Sequence, residues 1–291
     1  MSHSRTHDRA GQGIGSFLRG LLGGIPWSEC AECVEERTFP APADGRIRIE
    51  NRNGRTRVVG EDREDVLVRI AKRARAESAE AAHEVVGEIR VVGRETGGAL
   101  ALEVETPRKW NRHAHAHVEV HVPRGSSIDV QSNNGKVCIE GVRAAVCARS
   151  TNGAVRVADV VGDVDIETSN AKVCCTCTCG RLTARSSNGK IELEDHRGSI
   201  DASTSNGLIR ASIDEMGSDG VVLATSNGRI VLELPAEVDA EVDIRVDNGV
   251  IRTLRDLSSR TNESAGRVRG RLGRGGTPIK LRTSNGTVSL R

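Results

Sequence analysis

The densest run of metal-competent side chains lies at residues 112–121, "RHAHAHVEVH". On a β-strand, alternate side chains share a face. His113, His115, His117, Glu119 and His121 therefore project one way, and Ala114, Ala116, Val118 and Val120 the other. Imidazoles at i and i+2 stand about 7 Å apart and can share one transition metal, which makes His113, His115 and His117 a candidate surface site for Zn²⁺ or Ni²⁺. One strand supplies only part of a tetrahedral shell, so the competing reading is a solvated polar face filled with histidine.

Sulfur is the second candidate chemistry. Six of the eight cysteines fall between residues 138 and 179, four of them in "CCTCTC" at 174–179. Neighbours this close mostly cannot reach one another with disulfide geometry, so reduced thiols are expected. Cys175 occupies an inward position, whereas Cys174, Cys177 and Cys179 point outward and form a candidate soft-metal cluster. Cys30-x-x-Cys33 has ligand spacing, but no second such pair follows at zinc-ribbon distance.

Acid–base chemistry is less well served. Asp129, Asp165 and Asp201 recur in one column with Cys147 and Thr183 between them. Glu194, Asp195 and His196 adjoin in sequence but alternate in direction. The sequence holds no GxSxG or HExxH motif, and "GQGIGSFLRG" follows no strand. No catalytic residue and no cofactor is assigned. A polysaccharide-acting solenoid enzyme and a surface metal-binding protein stand as the alternative readings. The basic run Arg267, Arg269, Arg271 and Arg274 lacks interleaved aromatics, and the net charge is only +2, so no nucleic-acid partner is expected.

The elements that must position these residues are announced by asparagine. Asn134, Asn152, Asn170, Asn188 and Asn206 lie 18 residues apart; Asn227 and Asn248 follow at intervals of 21, and Asn285 at 37. Asn53 stands as an isolated earlier copy. Between the marks, Val137, Val155, Val173, Ile191 and Ile209 keep one register, as do Val146, Val164, Leu182 and Ile200, with polar residues alternating. A fixed period with strand alternation predicts an all-β, single-stranded parallel β-solenoid with coils of about 18 residues, right-handed by the general crossover rule. The asparagines form its structural turn ladder, and Ala171 in place of glycine assigns a left-handed conformation to Asn170. Thr151, Ser169, Ser187, Ser205, Ser226 and Ser284 form a hydroxyl column that is mostly serine and adjacent to the turn, a poor flat array for ice binding.

Three regions follow. Residues 1–35 are a Gly-rich leader, disordered or amphipathic, whose stripe Ile14, Phe17, Leu18, Leu21, Leu22 and Ile25 covers a solenoid end or touches a membrane surface through residues 14–25. Residues 36–125 form an irregular β section with a short helical insert near 76–86 and a hairpin after it. Residues 126–291 form the repeat, with a basic loop at 253–276 before a terminal rung at 277–291. The first third and that rung are the expected end caps. No apolar stretch approaches 18 residues and no cleavage site follows the basic N-terminus, so a cytoplasmic location is expected, with envelope association as the alternative.

The segments "VEVHVPRGSSIDVQSNNGKVCIEG", "RTFPAPADGRIRIENRNGRTRVVGEDREDVLVRIAKRA" and "GGTPIKLRTSNGTVSLR" resemble the bacterial adhesin-like family of β-strand repeats, of the Toastrack type, over roughly residues 36–291. The resemblance implies a β-solenoid-like fold, association with envelope or envelope-stress systems, and no established catalysis. The function expected is a non-enzymatic, adhesin-like interaction scaffold for a protein or cell-envelope partner.

Overall fold

The computed structural model describes residues 29–106, 113–264 and 266–291. The apolar stripe at 14–25 lies outside the described residues. The N-terminal section comprises β1 (Glu29–Pro40), β2 (Arg46–Asn51), β3 (Thr56–Glu61), β4 (Asp65–Ala76), α1 (Ala79–Glu88), β5 (Arg90–Thr96), β6 (Ala99–Glu105) and β7 (Ala114–Pro123). The coils follow as β8 (Ser127–Ser132), β9 (Val137–Glu140), β10 (Val146–Ser150), β11 (Val155–Val161), β12 (Val164–Thr168), β13 (Val173–Ser186), β14 (Ile191–Asn206) and β15 (Ile209–Glu233). The chain ends with β16 (Ala240–Thr253), β17 (Ser258–Ser264), β18 (Arg267–Leu272) and β19 (Thr277–Leu290).

The fold is a parallel β-solenoid. Each coil lays one strand on each of two faces, in register with the coil below. On the first face Ile128, Val146, Val164, Leu182, Ile200 and Val221 stack rung upon rung. On the second, Val137, Val155, Val173, Ile191 and Ile209 do the same. All of these side chains are buried, and each contributes about 1.5–3 kcal/mol. The charged residues between them face outward because a strand's period is two.

The turn between the faces explains the repeated asparagine. In the series Asn53, Asn134, Asn152, Asn170, Asn188, Asn206, Asn227, Asn285, Asn248, each amide after the first donates through Nδ2 to Oδ1 of the rung before it, with spacings of 2.8 to 3.1 Å. Asn53 is thus the first rung, not an isolated copy. The expected left-handed conformation at Asn170 is absent, since the non-glycine residues with positive φ are Asp159, Cys177, Asp195 and Ser259. Glycine follows asparagine because of close approach. A Cβ on Gly189 would lie 1.8 Å from the carbonyl oxygen of Ala171 in the rung below.

A second device lies beneath that turn. Ser150 and Ser186 hydroxyls accept the N–H of Gly153 and Gly189 at 3.0 and 2.8 Å. Thr204 and Thr225 instead donate to the carbonyls of Gly189 and Gly207. These buried hydroxyls satisfy backbone groups that the sharp turn would otherwise leave unpaired.

Both ends depart from the coil pattern. At the N-terminal end β3 pairs with β7 on one side and β9 on the other, and β2 likewise lies between β6 and β8, so pairing runs uninterrupted across residue 126. β4 and then β1 close the second face in antiparallel register, and β5 closes the first. β1 starts at Glu29, inside the span expected to be leader. Helix α1, capped by Ser78, buries Ala82, Val85 and Val86 against β1 and β4, in place of a further coil.

The C-terminal end reverses chain order. β19 pairs with β15 on one side and β16 on the other, so the last segment is an inserted rung and not a terminal one. The expected basic loop at 253–276 is largely strand: β18 pairs antiparallel with β16, and β17 with β18.

Candidate functional site

The first face carries a groove. Strands β8, β10, β12, β13 and β14 place Asp129, Cys147, Asp165, Thr183 and Asp201 in one outward column. Adjacent rungs are about 4.8 Å apart, so the aspartates stand about 9.6 Å from one another. Ala99, Ser127 and Ala145 are short, whereas Arg46, Arg48, Arg181 and Arg185 are long; this contrast opens a groove of ≈ 650 Å³.

Charge in the groove is only partly compensated. Asp129 lies 3.9 Å from Arg48 and 3.8 Å from Arg149, too far for hydrogen bonds, and its Oδ1 is buried without a partner. Asp201 sits 3.6 Å from Arg185, and Asp163 accepts from the backbone N–H of Arg181. Burial, reinforced by the Asp129 charge, pushes the Cys147 thiol up. It therefore stays protonated at neutral pH and is no activated nucleophile. The arrangement suits binding of an extended partner through charges and hydrogen bonds.

The histidine row lies on the opposite face. His115 and His117 project outward from β7, with ring centroids 4.9 Å apart. His117 Nδ1 accepts the N–H of Arg55 at 2.9 Å. Burial holds both imidazoles below the ordinary histidine value, with the His117 and Arg73 charges adding to the effect at His115. His113 precedes β7, where its carbonyl accepts from Arg75. His121 points the same way but pairs with Glu61 at 2.7 Å.

Cys174 is half-buried, Cys177 and Cys179 are exposed, and Cys175 is enclosed in the core with its thiol pushed far up by burial. Cys177 occupies a left-handed corner (φ 52°) in the column of Asp159 and Asp195. Among the described residues, no group of three or more histidine, cysteine or carboxylate side chains converges to hold a metal ion. The basic run is neutralised: Arg267 and Arg269 face Asp243, Arg271 faces Glu241, and Arg274 faces Asp239.

Two features escaped the sequence. His196, at a bulge of β14, is buried with Nδ1 2.9 Å from the Thr178 hydroxyl, and burial lowers its pKa. The groove itself was also missed, although the aspartate column was visible. Its signal was the short Ser127 and Ala145 lying between Arg46 and Arg181 in one outward column.

A family model described as Toastrack DUF4097 matches residues 45–291. The chain belongs to the Toastrack family. Solved structures similar to the Toastrack chain are of very low identity. A candidate adhesin from Bacteroides fragilis is 10% identical, with 89% of this chain and 97% of that one covered and a TM-score of 0.48. A candidate adhesin from Parabacteroides merdae is 9% identical, covering 89% and 96%, with a TM-score of 0.43. A candidate lipid-binding protein from Parabacteroides distasonis is 10% identical, covering 89% and 96%, with a TM-score of 0.44. No curated protein matches this Toastrack chain. Among the described residues, no helix is long and apolar enough to cross a membrane.

Proposed function

We propose that this Toastrack protein is a non-enzymatic, adhesin-like interaction scaffold that binds a protein or cell-envelope partner through the groove of its first face. The observation that carries the reading is the groove of ≈ 650 Å³ laid across stacked coils, with Asp129 and Asp165 separated by the protonated thiol of Cys147. Acids so spaced offer fixed charge to an extended partner. A photo-crosslinking residue at Thr183 and another at Glu194, on the opposite face, test this in the native cell. Specific capture from position 183 alone supports the groove. Turnover of an envelope polysaccharide that disappears in Asp165→Asn would replace the scaffold reading with an enzyme.

A second reading concerns the histidine row. The close rings of His115 and His117 support weak transition-metal binding at the surface. Equilibrium dialysis against Zn²⁺ should show uptake that falls in the His113→Ala/His115→Ala/His117→Ala triple variant. Unchanged uptake in that variant would dismiss the row.

A further inference from the structure

The solenoid's two faces end differently at the C-terminus. On the first face β18 pairs with Ala240–Arg245 of β16, and the Val246 N–H reaches the Gly266 carbonyl at 2.8 Å. On the second face the far half of β16 pairs with β19 alone, so the outer edge of residues 249–253 carries no strand among the described residues. The coils below show what that edge lacks. The N–H groups of Val137, Val155, Val173 and Ile191 each donate to the next rung, at 2.9 to 3.0 Å. Ile251 tops the same column, placed after Asn248 as Ile191 is after Asn188, and no carbonyl among the described residues accepts its N–H.

The edge has a definite chemistry. Leu254 donates its N–H to the Leu290 carbonyl at 2.9 Å. The alternate residues Val250 and Arg252 therefore turn their main chain toward β19, and Gly249, Ile251 and Thr253 turn theirs outward. Side chains alternate as well. In the lower coils Lys136, Lys172 and Lys190 hold the column of Val250, and Glu140 and Glu194 hold that of Leu254. The last rung replaces both with aliphatic side chains, 50% and 79% exposed. Arg252 between them is exposed and has no hydrogen-bond or ion-pair partner among the described residues. An unpaired ladder edge is thus flanked by a row of apolar, basic and apolar side chains.

We propose that residues 249–254 receive an extended segment of a partner protein, which adds one strand to the second face with an acidic side chain opposite Arg252 and apolar ones beside Val250 and Leu254. Main-chain bonds to Gly249, Ile251 and Thr253 hold the segment, and its alternate side chains select it. Its inward residues cover Ile251, which is only half-buried. The unpaired guanidinium favours the acidic side chain over a neutral or basic one. A slender occupant fits because β18 and β17 rise beyond β16 on the first face by two rungs, about 9.6 Å. Two copies joined edge to edge in antiparallel pairing would collide through those strands. The inference goes beyond the groove reading and does not need it, since edge and groove lie on different faces.

Fluorescence anisotropy of the full chain with the labelled peptide Ser-Val-Val-Glu-Val-Val-Ser tests the proposal. The controls are the same peptide with lysine for glutamate and one with every main-chain nitrogen methylated. The expected result is binding of the acidic peptide at least tenfold tighter than either control. Arg252→Glu should weaken the acidic peptide tenfold or more and tighten the lysine peptide by a similar factor. Arg252 is exposed and unpaired, so its variant keeps the parent melting temperature. Val250→Ser/Leu254→Ser should weaken the acidic peptide several-fold, and the groove variant Asp165→Asn should leave it unchanged. Amide exchange at Ile251 and Thr253 should slow in the complex. No binding of the acidic peptide, equal binding of the methylated one, equal binding by Arg252→Glu, or a concentration-dependent dimer that Val250→Ser/Leu254→Ser dissolves would each overturn the proposal.

Discussion

The middle coils and the C-terminal end are built from the same rung but assembled by different rules. From Asn134 to Asn227 spatial order follows chain order, and each strand stacks on the one before it. Beyond Asn227 the chain leaves one rung empty, lays down β16, folds β17 and β18 outside it, and returns to fill the gap with β19. The lesson is that a repeat specifies which side chains stack and leaves open the order in which they stack. β19 therefore acts as a keystone, paired along both edges.

Removing the keystone is the strongest way to break the comparison. Deleting residues 277–291 should abolish amide-exchange protection in Val221–Leu232 of β15 and in β16, because both lose a partner strand. Excising one whole middle coil, residues 152–169, should leave a shorter solenoid with protection retained in the remaining coils. Equal damage from the two deletions would remove the distinction.

The turn glycines come next. In urea denaturation Gly189→Ala should cost about 3 kcal/mol or more, because its Cβ would stand 1.8 Å from a backbone oxygen that strand pairing holds in place. Gly87→Ala, in α1 with no atom within 4 Å of the added carbon, should raise stability by up to about 1 kcal/mol. The asparagine ladder predicts a smaller, graded loss. Asn188→Ala removes two side-chain bonds, both of 2.9 Å, and should cost about 1–2 kcal/mol; Asn248→Ala at the ladder's end removes one and should cost about half.

The smallest effect concerns pH. Burial lowers the pKa of His196 in the native state, so the unfolded chain binds the proton more readily. Stability from this group is present above the ordinary histidine value of about 6.5 and declines as pH falls below it. His115 and His117 shift in the same direction. Urea midpoints between pH 7.5 and 5.5 should fall for the parent, and fall less steeply for His196→Gln.

Much of the fold was legible because strand alternation and an 18-residue period are direct consequences of stacking. The buried columns at Val137 and Val146 and the inward Cys175 were readable for that reason, and the helical insert expected near 76–86 lies at Ala79–Glu88. The position of β19 was not, since "TSNGTVSL" fits any rung equally well. The left-handed corners at Asp159, Cys177 and Asp195 also escaped, because aspartate and cysteine do not advertise positive φ as glycine does. At the site, the aspartate column could be read from spacing. The depth of the groove could not, because it depends on which neighbouring columns carry short residues.

Rung order itself can be read covalently. Oxidation of Ser226→Cys/Ser284→Cys, followed by peptide mapping, should give a disulfide between positions 226 and 284, which lie on adjacent rungs about 4.8 Å apart. The pair Ser226→Cys/Asp247→Cys, two rungs apart with β19 between, should remain unlinked. A bond between 226 and 247, with none between 226 and 284, would show that the coils simply follow chain order and would contradict the inserted keystone.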